Sequence, residues 1–305
     1  MADDGALMMT DDKGNDTNPA SAADPSAPRR DASVAPKGHR TNLVGVPTDV
    51  LMSTAFNDAP AALRIRGVRH DHGDLFEALE TATNADQAAE VFQAYMARAF
   101  HLNPDFSGSE GADGKRRFRS SYLRLLKGWM FDSNNAEGAV LKGWVESRFG
   151  LTPTFHKGPI QRFGSQSWAE YTEQKMSTRF HNNNILSQLD LLYEFCQWMV
   201  AKKLVTGTDQ EADDSHVRLY RGVNDFNEHH IIERTDKKTA VIRLNNLSSF
   251  SCDRDIAGQF GDWIMTAKVP WTKVVFFRDI LPRYPFRGEG EYLVVGGDYR
   301  VSVSI

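Results

Sequence analysis

The sequence contains few cysteines, no large excess of charge of one sign and no long apolar run. Its two cysteines, Cys196 and Cys252, form neither a CxxC pair nor a metal-ligand spacing with histidine. This pattern argues against a disulfide framework and against a structural zinc site. We therefore expect a protein of the reducing cytoplasm whose chemistry requires no metal.

The charge balance and the hydropathy pattern narrow the possible partners. The formal net charge is −4 over 305 residues, which gives no basic excess for binding nucleic acid or an anionic membrane. No apolar stretch is long enough to span a bilayer, and the N-terminal residues lack the apolar core of a signal peptide. We expect a cytoplasmic protein with no nucleic-acid partner and no membrane span.

The composition changes along the chain and predicts three regions. Residues 1–40 are rich in Asp, Ala, Ser, Pro and Gly, and after Met9 they contain almost no large apolar side chains. Such a segment buries too little surface to offset its conformational entropy, so it is predicted to be a disordered tail. Residues 41–210 form a predicted helical region and residues 211–305 a predicted β-rich core, and we expect 41–305 to form one compact unit.

Hydrophobic periodicity supports this division. Helical spacing predicts helices at 74–83, 86–100, 120–131, 136–148 and 185–204, the last capped by the asparagines that precede it. Strand patterns follow at 216–221, 239–244, 263–269, 273–277, 292–295 and 299–305. Helices first and strands afterwards indicate an α+β fold.

Three short motifs lie at the edges of predicted strands. The first is Arg221-Gly222, at the end of a strand with alternating polarity. A guanidinium at a strand end can bind two phosphate oxygens at once, and glycine lets the backbone approach a ligand closely. The alternative interpretation is a surface arginine beside a turn glycine.

The second motif is a serine-rich segment from Ser248 to Ser251, which precedes a short predicted helix that ends near Gly261. Its hydroxyl groups could cap this helix. They could also orient a catalytic carboxylate, and capping and catalysis can share the same residues.

The third motif is Glu289-Gly290-Glu291, at the start of a predicted strand. Two carboxylates at positions i and i+2 of an extended chain point to the same face, roughly 7 Å apart. Like charges this close raise each other's pKa, so the pair is a candidate site. The alternative is a solvated acidic turn between two strands.

In this order the three motifs resemble the Arg-Ser-Glu class of mono-ADP-ribosyltransferases, and the glutamate pair resembles the arginine-modifying members. Residues 41–48, 53–57 and 162–184 resemble the dinitrogenase reductase ADP-ribosyltransferase family in particular. One position departs from the class, because Phe250 stands where the class has threonine. The resemblance implies that the helical part packs on an antiparallel β-sandwich core of the ADP-ribosyltransferase type.

The resemblance also implies an activity and its partners. Members transfer ADP-ribose from NAD, as co-substrate, to one arginine of the nitrogenase iron protein and thereby switch off nitrogen fixation. It implies control by a GlnB-type nitrogen-signalling protein that binds the transferase. Two alternatives stay open, namely an NAD glycohydrolase, in which water replaces arginine, and a non-catalytic module that senses NAD.

Site residues follow from the match to the family motifs. The implied catalytic residues are Glu291, Glu289 and Ser249. Glu291 would hold the ribose and stabilise its developing positive charge. Glu289 would face the acceptor guanidinium, and Ser249 would position Glu291. The implied NAD-binding residues are Arg221 at the diphosphate, Gly222 at the nicotinamide carboxamide, Ser251 and Phe260. Phe260 would stack on the nicotinamide ring, or it is a buried helix residue.

Overall fold

The structure is a computed structural model that describes residues 42–102, 121–177, 180–181, 184–205, 215–282 and 291–305. The predicted tail at 1–40 and Glu289 lie outside the described residues.

Helices dominate the described chain before residue 202. They are α1 Thr48–Leu51, α2 Thr54–Asp58, α3 Val68–Asp71, α4 Gly73–Leu79, α5 Ala85–Phe100, α6 Tyr122–Phe131, α7 Ala136–Phe149, α8 Gln166–Lys175 and α9 Ile185–Ala201. Side chains of Asn84, Ser121, Asn135 and Ser165 accept a backbone N–H at the starts of α5, α6, α7 and α8. The predicted cap of α9 is wrong for Asn184, which adopts a left-handed conformation and makes no side-chain cap hydrogen bond.

Strands dominate the chain after residue 215. A small hairpin, β1 Phe155–His156 and β2 Gly158–Pro159, lies among the helices. The main strands are β3 His216–Val223, β4 His230–Arg234, β5 Thr239–Ser251, β6 Trp263–Pro270, β7 Val274–Phe277 and β8 Glu291–Ser304, with a short helix α10 Arg254–Ala257 between β5 and β6. The predicted α+β class is confirmed.

The six main strands form one antiparallel sheet in the order β4-β5-β3-β6-β8-β7. Strand β8 also pairs with β5 along most of its length, so β5, β3, β6 and β8 form a closed ring of paired strands. Strands β3 and β5 meet only at Tyr220 and Ser251. The ring therefore brings the ends of β3, β5 and β8 to one place.

Strands β5 and β8 extend furthest beyond their predicted bounds. Strand β5 continues through the serine-rich segment, and β8 runs without a break through Gly296 and Gly297. The glycines lie beside a register shift in β5 at Asn245 and Asn246, where a Cβ on Gly296 would lie 1.8 Å from the Asn245 carbonyl oxygen. Glycine here permits close backbone contact, so it does not end the strand.

The bulged asparagines also connect the sheet to the helical part. Asn246 Nδ2 donates to the carbonyl oxygens of Lys142 and Leu151, at 2.8 and 2.9 Å, and Asn245 Oδ1 accepts from Thr154 N at 2.9 Å. One hydrophobic cluster includes side chains from both parts of the chain. The helices α6 and α7 are therefore fixed against the strands that carry the predicted motifs.

Candidate active site

The three motifs meet at one edge of the sheet. Tyr220 pairs with Ser251, and Ser251 pairs with Glu291, so the ends of β3, β5 and β8 lie side by side. Arg221 follows Tyr220, and Ser249 lies two residues before Ser251. Residues far apart in the chain are neighbours here because the ring of strands places them in register.

Glu291 is held by a hydrogen bond from a serine. The Ser249 hydroxyl lies 2.6 Å from Glu291 Oε1, and the indole Nε1 of Trp129 donates to the same hydroxyl oxygen at 2.8 Å. Both Ser249 and Glu291 are half-buried, and Trp129 is buried. A short hydrogen bond to a carboxylate oxygen fixes the carboxylate orientation and favours its ionised form.

Arg221 is the cation of this site. Its guanidinium nitrogen Nη1 donates to the backbone carbonyl of Ser249 at 2.6 Å, which places the group beside the serine. Burial lowers the pKa of Arg221 from its ordinary value, and the nearby Glu291 carboxylate acts in the opposite direction. Because an arginine stays protonated even with a lowered pKa, it supplies a fixed positive charge near Glu291.

Gly222 is required by close packing. A Cβ at this position would lie 2.0 Å from the carbonyl oxygen of Ala257 and 3.2 Å from Cβ of Phe260. The missing side chain thus lets α10 and the turn Gly258–Phe260 lie directly against β3. Phe260 is 48% exposed, which excludes the interpretation of a buried helix residue.

The serine hydroxyls do not serve as the main cap of α10. The side chain of Asp253 accepts from Asp255 N and Ile256 N and is the cap of that helix. Ser251 Oγ accepts from Asp253 N at 3.0 Å and so supports the turn before it. Ser249 makes the contact to Glu291 instead, so capping and carboxylate positioning belong to different residues.

A cavity of about 270 Å³ lies over these residues. Its walls include every described residue that the sequence predicts for the site: Arg221, Gly222, Ser249, Ser251, Phe260 and Glu291. A second cavity of about 570 Å³ adjoins it and shares the walls formed by Trp129, Ser133, Arg221 and Ser249. The two cavities together are large enough for a ligand with two linked halves, and Arg221 lies between them.

Sequence reasoning missed the contribution of the helical region. Trp129, at the end of α6, lines both cavities, and Phe131, Asp132 and Ser133 line the smaller one. Trp129 is buried and also hydrogen-bonded to the site through Ser249. Its position in an amphipathic helix gave no signal for this second contact.

The described ranges contain neither a metal-binding cluster nor a membrane-spanning helix. These residues contain no group of three histidine, cysteine or acidic side chains that could hold a metal ion. No helix within them has both the length and the apolar character needed to cross a bilayer.

The fold and cleft define an α+β protein with a serine-bound glutamate and a half-buried arginine at the edge of an antiparallel sheet. Residues 41–303 match the family described as dinitrogenase reductase ADP-ribosyltransferase, and the chain belongs to that family. It is 54% identical over 269 residues to the NAD(+)--dinitrogen-reductase ADP-D-ribosyltransferase of Rhodospirillum rubrum, covering 88% of this chain and 95% of the relative. No solved structure matches the chain significantly.

Proposed function

We propose that this protein transfers ADP-ribose from NAD to an arginine of the nitrogenase iron protein. The observation that carries the proposal is the Ser249–Glu291 hydrogen bond of 2.6 Å beside Arg221, in a cleft with room for two ligand halves. Family membership supports the identity of donor and acceptor, because the relative from Rhodospirillum rubrum is named for NAD and dinitrogen reductase.

The cleft has parts that suit each half of NAD. In this proposal the nicotinamide-ribose half lies in the smaller cavity beside Glu291, Gly222 and Phe260, and the adenylate half extends into the larger one. Arg221, in the wall between the cavities, faces the diphosphate. Ser251, in the wall of the smaller cavity, completes the NAD-binding residues of this proposal.

Glu291 acts on the bond between nicotinamide and ribose. As this bond breaks, nicotinamide leaves with the bonding electrons, and positive charge develops on the ribose ring. A carboxylate fixed near the ribose stabilises this charge more than it stabilises the neutral sugar, so it lowers the barrier. The Ser249 hydrogen bond keeps the carboxylate oriented for this role.

The acceptor guanidinium then attacks the ribose carbon that nicotinamide has left. One of its nitrogens forms the new C–N bond and loses a proton. Glu289, two residues before Glu291, is assigned to orient this guanidinium and to accept that proton. A guanidinium with a pKa above about 12 needs such a base before it can act as a nucleophile.

The finer fold assignment and the regulator belong to the same proposal. We assign the ring of strands to the ADP-ribosyltransferase type of β-sandwich because the three motifs follow one another in the order that is typical of that class. We also propose that a GlnB-type nitrogen-signalling protein binds this chain, on the basis of family resemblance, and that the enzyme works in the cytoplasm.

The test is incubation of the protein with labelled NAD and the iron protein, followed by mapping of the modified residue. We expect the label on one arginine of the iron protein, with one nicotinamide released for each ADP-ribose attached. Free ADP-ribose without labelled protein would instead indicate an NAD glycohydrolase. Tight binding of NAD without release of nicotinamide would indicate a sensing module and would contradict any transfer.

A further inference from the structure

Trp129 contacts the Ser249–Glu291 pair from the helical part of the molecule. An indole nitrogen is a hydrogen-bond donor only, so the Ser249 oxygen must be the acceptor of the 2.8 Å bond. The serine hydroxyl has a single proton, and Glu291 Oε1 lies 2.6 Å away. That proton therefore points toward the carboxylate, and the hydrogen bonds run in one direction from Trp129 to Glu291.

The indole is held rigidly. Trp129 is 4% exposed, and its neighbour Gly128 lets α6 approach α7 so closely that a Cβ there would lie 2.5 Å from Cβ of Glu137. Asn135 Nδ2 donates to the Gly128 carbonyl oxygen at 2.8 Å, and the ammonium of Lys142 lies 5.8 Å from the indole ring. These contacts fix the ring before any ligand arrives, which is the condition for preorganised positioning.

We propose that Trp129 is a positioning residue that sets the direction of the Ser249–Glu291 hydrogen bond and so keeps Glu291 oriented at the ribose. This inference rests on the proposed function, because it assigns a role in the same reaction. Without the indole N–H, the serine hydroxyl is free to rotate and to accept a hydrogen bond elsewhere. A small loss of orientation at a reacting group costs on the order of 10²-fold in rate.

The first test is Trp129→Phe, which removes the donor and keeps an aromatic ring. We expect kcat for nicotinamide release to fall about 10- to 100-fold while KM for NAD changes less than about threefold. Trp198→Phe is the matched control, because Trp198 is also 4% exposed and also donates, to Glu80 Oε1 at 3.1 Å, away from the cleft. The control should retain wild-type kcat.

The second test asks whether Trp129 acts through Ser249. If it does, Trp129→Phe in a Ser249→Ala background should cost no further activity, since the hydroxyl that it orients is gone. Losses that multiply in the double variant would overturn the proposal, because a packing role does not depend on the serine. Wild-type kcat in Trp129→Phe would overturn it as well.

A third variant covers the case in which Trp129→Phe does not fold. Benzothienylalanine at position 129 replaces the indole N–H with sulfur and leaves the ring shape almost unchanged, and the same fall in kcat is expected. Retention of wild-type kcat with this side chain contradicts the proposal.

A measurement independent of activity separates this inference from the proposed function. The NMR signal of the Trp129 indole N–H should shift in Ser249→Ala, because its acceptor is removed, while the Trp198 signal stays in place. If the Trp129 signal does not move, the proposed hydrogen bonding from Trp129 through Ser249 to Glu291 is wrong. If the Trp129 signal shifts but the wild-type protein does not cleave NAD, the proposed function is wrong and the hydrogen bonding from Trp129 to Glu291 still stands.

Discussion

Two carboxylates illustrate how the helical part and the sheet use the same chemical group differently. Glu194, in α9, is fully buried, and both of its oxygens are bonded: Oε1 accepts from Ile65 N and Oε2 from Arg69 Nε, each at 2.7 Å. Arg64 lies 3.9 Å from Oε2. Glu291 is half-buried, lines a cavity and is held through Oε1 by a neutral hydroxyl.

The difference teaches what makes a carboxylate structural or functional. The charge of Glu194 is surrounded by a backbone amide, by Arg69 in α3 and by Arg64 just before α3, so this carboxylate connects α9 to that part of the chain and stabilises the fold. Glu291 receives the Ser249 hydrogen bond in the wall of the cavity, with Arg221 nearby, so its negative charge can act on whatever occupies the cavity. A carboxylate can stabilise a new positive charge only where its oxygens face the space in which that charge develops.

The strongest test of this contrast is Glu291→Gln. The amide keeps the shape of the side chain but removes the charge, so nicotinamide release and protein modification should fall on the order of 10³-fold. The free energy of unfolding should change by only about 1 kcal/mol. Activity assays with NAD measure the fall in rate, and chemical denaturation measures the change in the free energy of unfolding. Near-wild-type activity in this variant would remove Glu291 from the mechanism.

Glu194→Gln should show the opposite behaviour. Removal of the buried charge leaves Arg69 without its partner, and we expect a loss of about 3 kcal/mol in the free energy of unfolding. Activity per folded molecule should stay at the wild-type level. Urea denaturation and an active-site titration measure these quantities. A variant that keeps its stability but loses activity would break the comparison.

Glu289→Ala sharpens the comparison within the glutamate pair. Modification of the iron protein should fall on the order of 10²-fold because the acceptor loses its base, whereas NAD hydrolysis should continue. Parallel assays of labelled protein and of free ADP-ribose distinguish the two reactions. An equal loss of both would argue against a separate role for Glu289.

A buried cation away from the cleft gives a further test, through the pH dependence of stability. Burial lowers the pKa of Lys273 from 10.5 to about 7, and its ammonium lies 5.0 Å from the Tyr299 ring. The unfolded chain therefore binds more protons than the folded protein between these two values, so stability should rise as the pH increases from about 7 to 10.5. The penalty for burying this lysine is fully present below about pH 7.

Lys273→Met tests this by removing the titrating group. The variant should be more stable than the wild type near pH 7, and its stability should depend less on pH up to about 10. Urea denaturation at several pH values measures the slopes. Some slope should remain, because burial also lowers the pKa of Lys142 to about 7. If the stability of the variant and that of the wild type change with pH in parallel, the lowered pKa of Lys273 is contradicted.

Local patterns predicted much of the architecture. The helices at 86–100, 120–131 and 136–148 agree closely with α5, α6 and α7, because their apolar spacing and their start and stop residues coincide. The middle of β8 and the serine-rich segment were less predictable. Gly296 and Gly297 have the composition of a turn, and only contact with the bulge in β5 makes them part of a strand.

By itself the sequence determined which chemical groups are available: a guanidinium beside a glycine, a serine-rich segment and two glutamates two residues apart, in an order that resembles one class of transferase. The tertiary structure decided how they are oriented. The register of β3, β5 and β8 brings Arg221 and Glu291 to one edge, and the close crossing of α6 and α7 places Trp129 behind Ser249. Such contacts join residues that are between 28 and 120 positions apart, so no local periodicity encodes them.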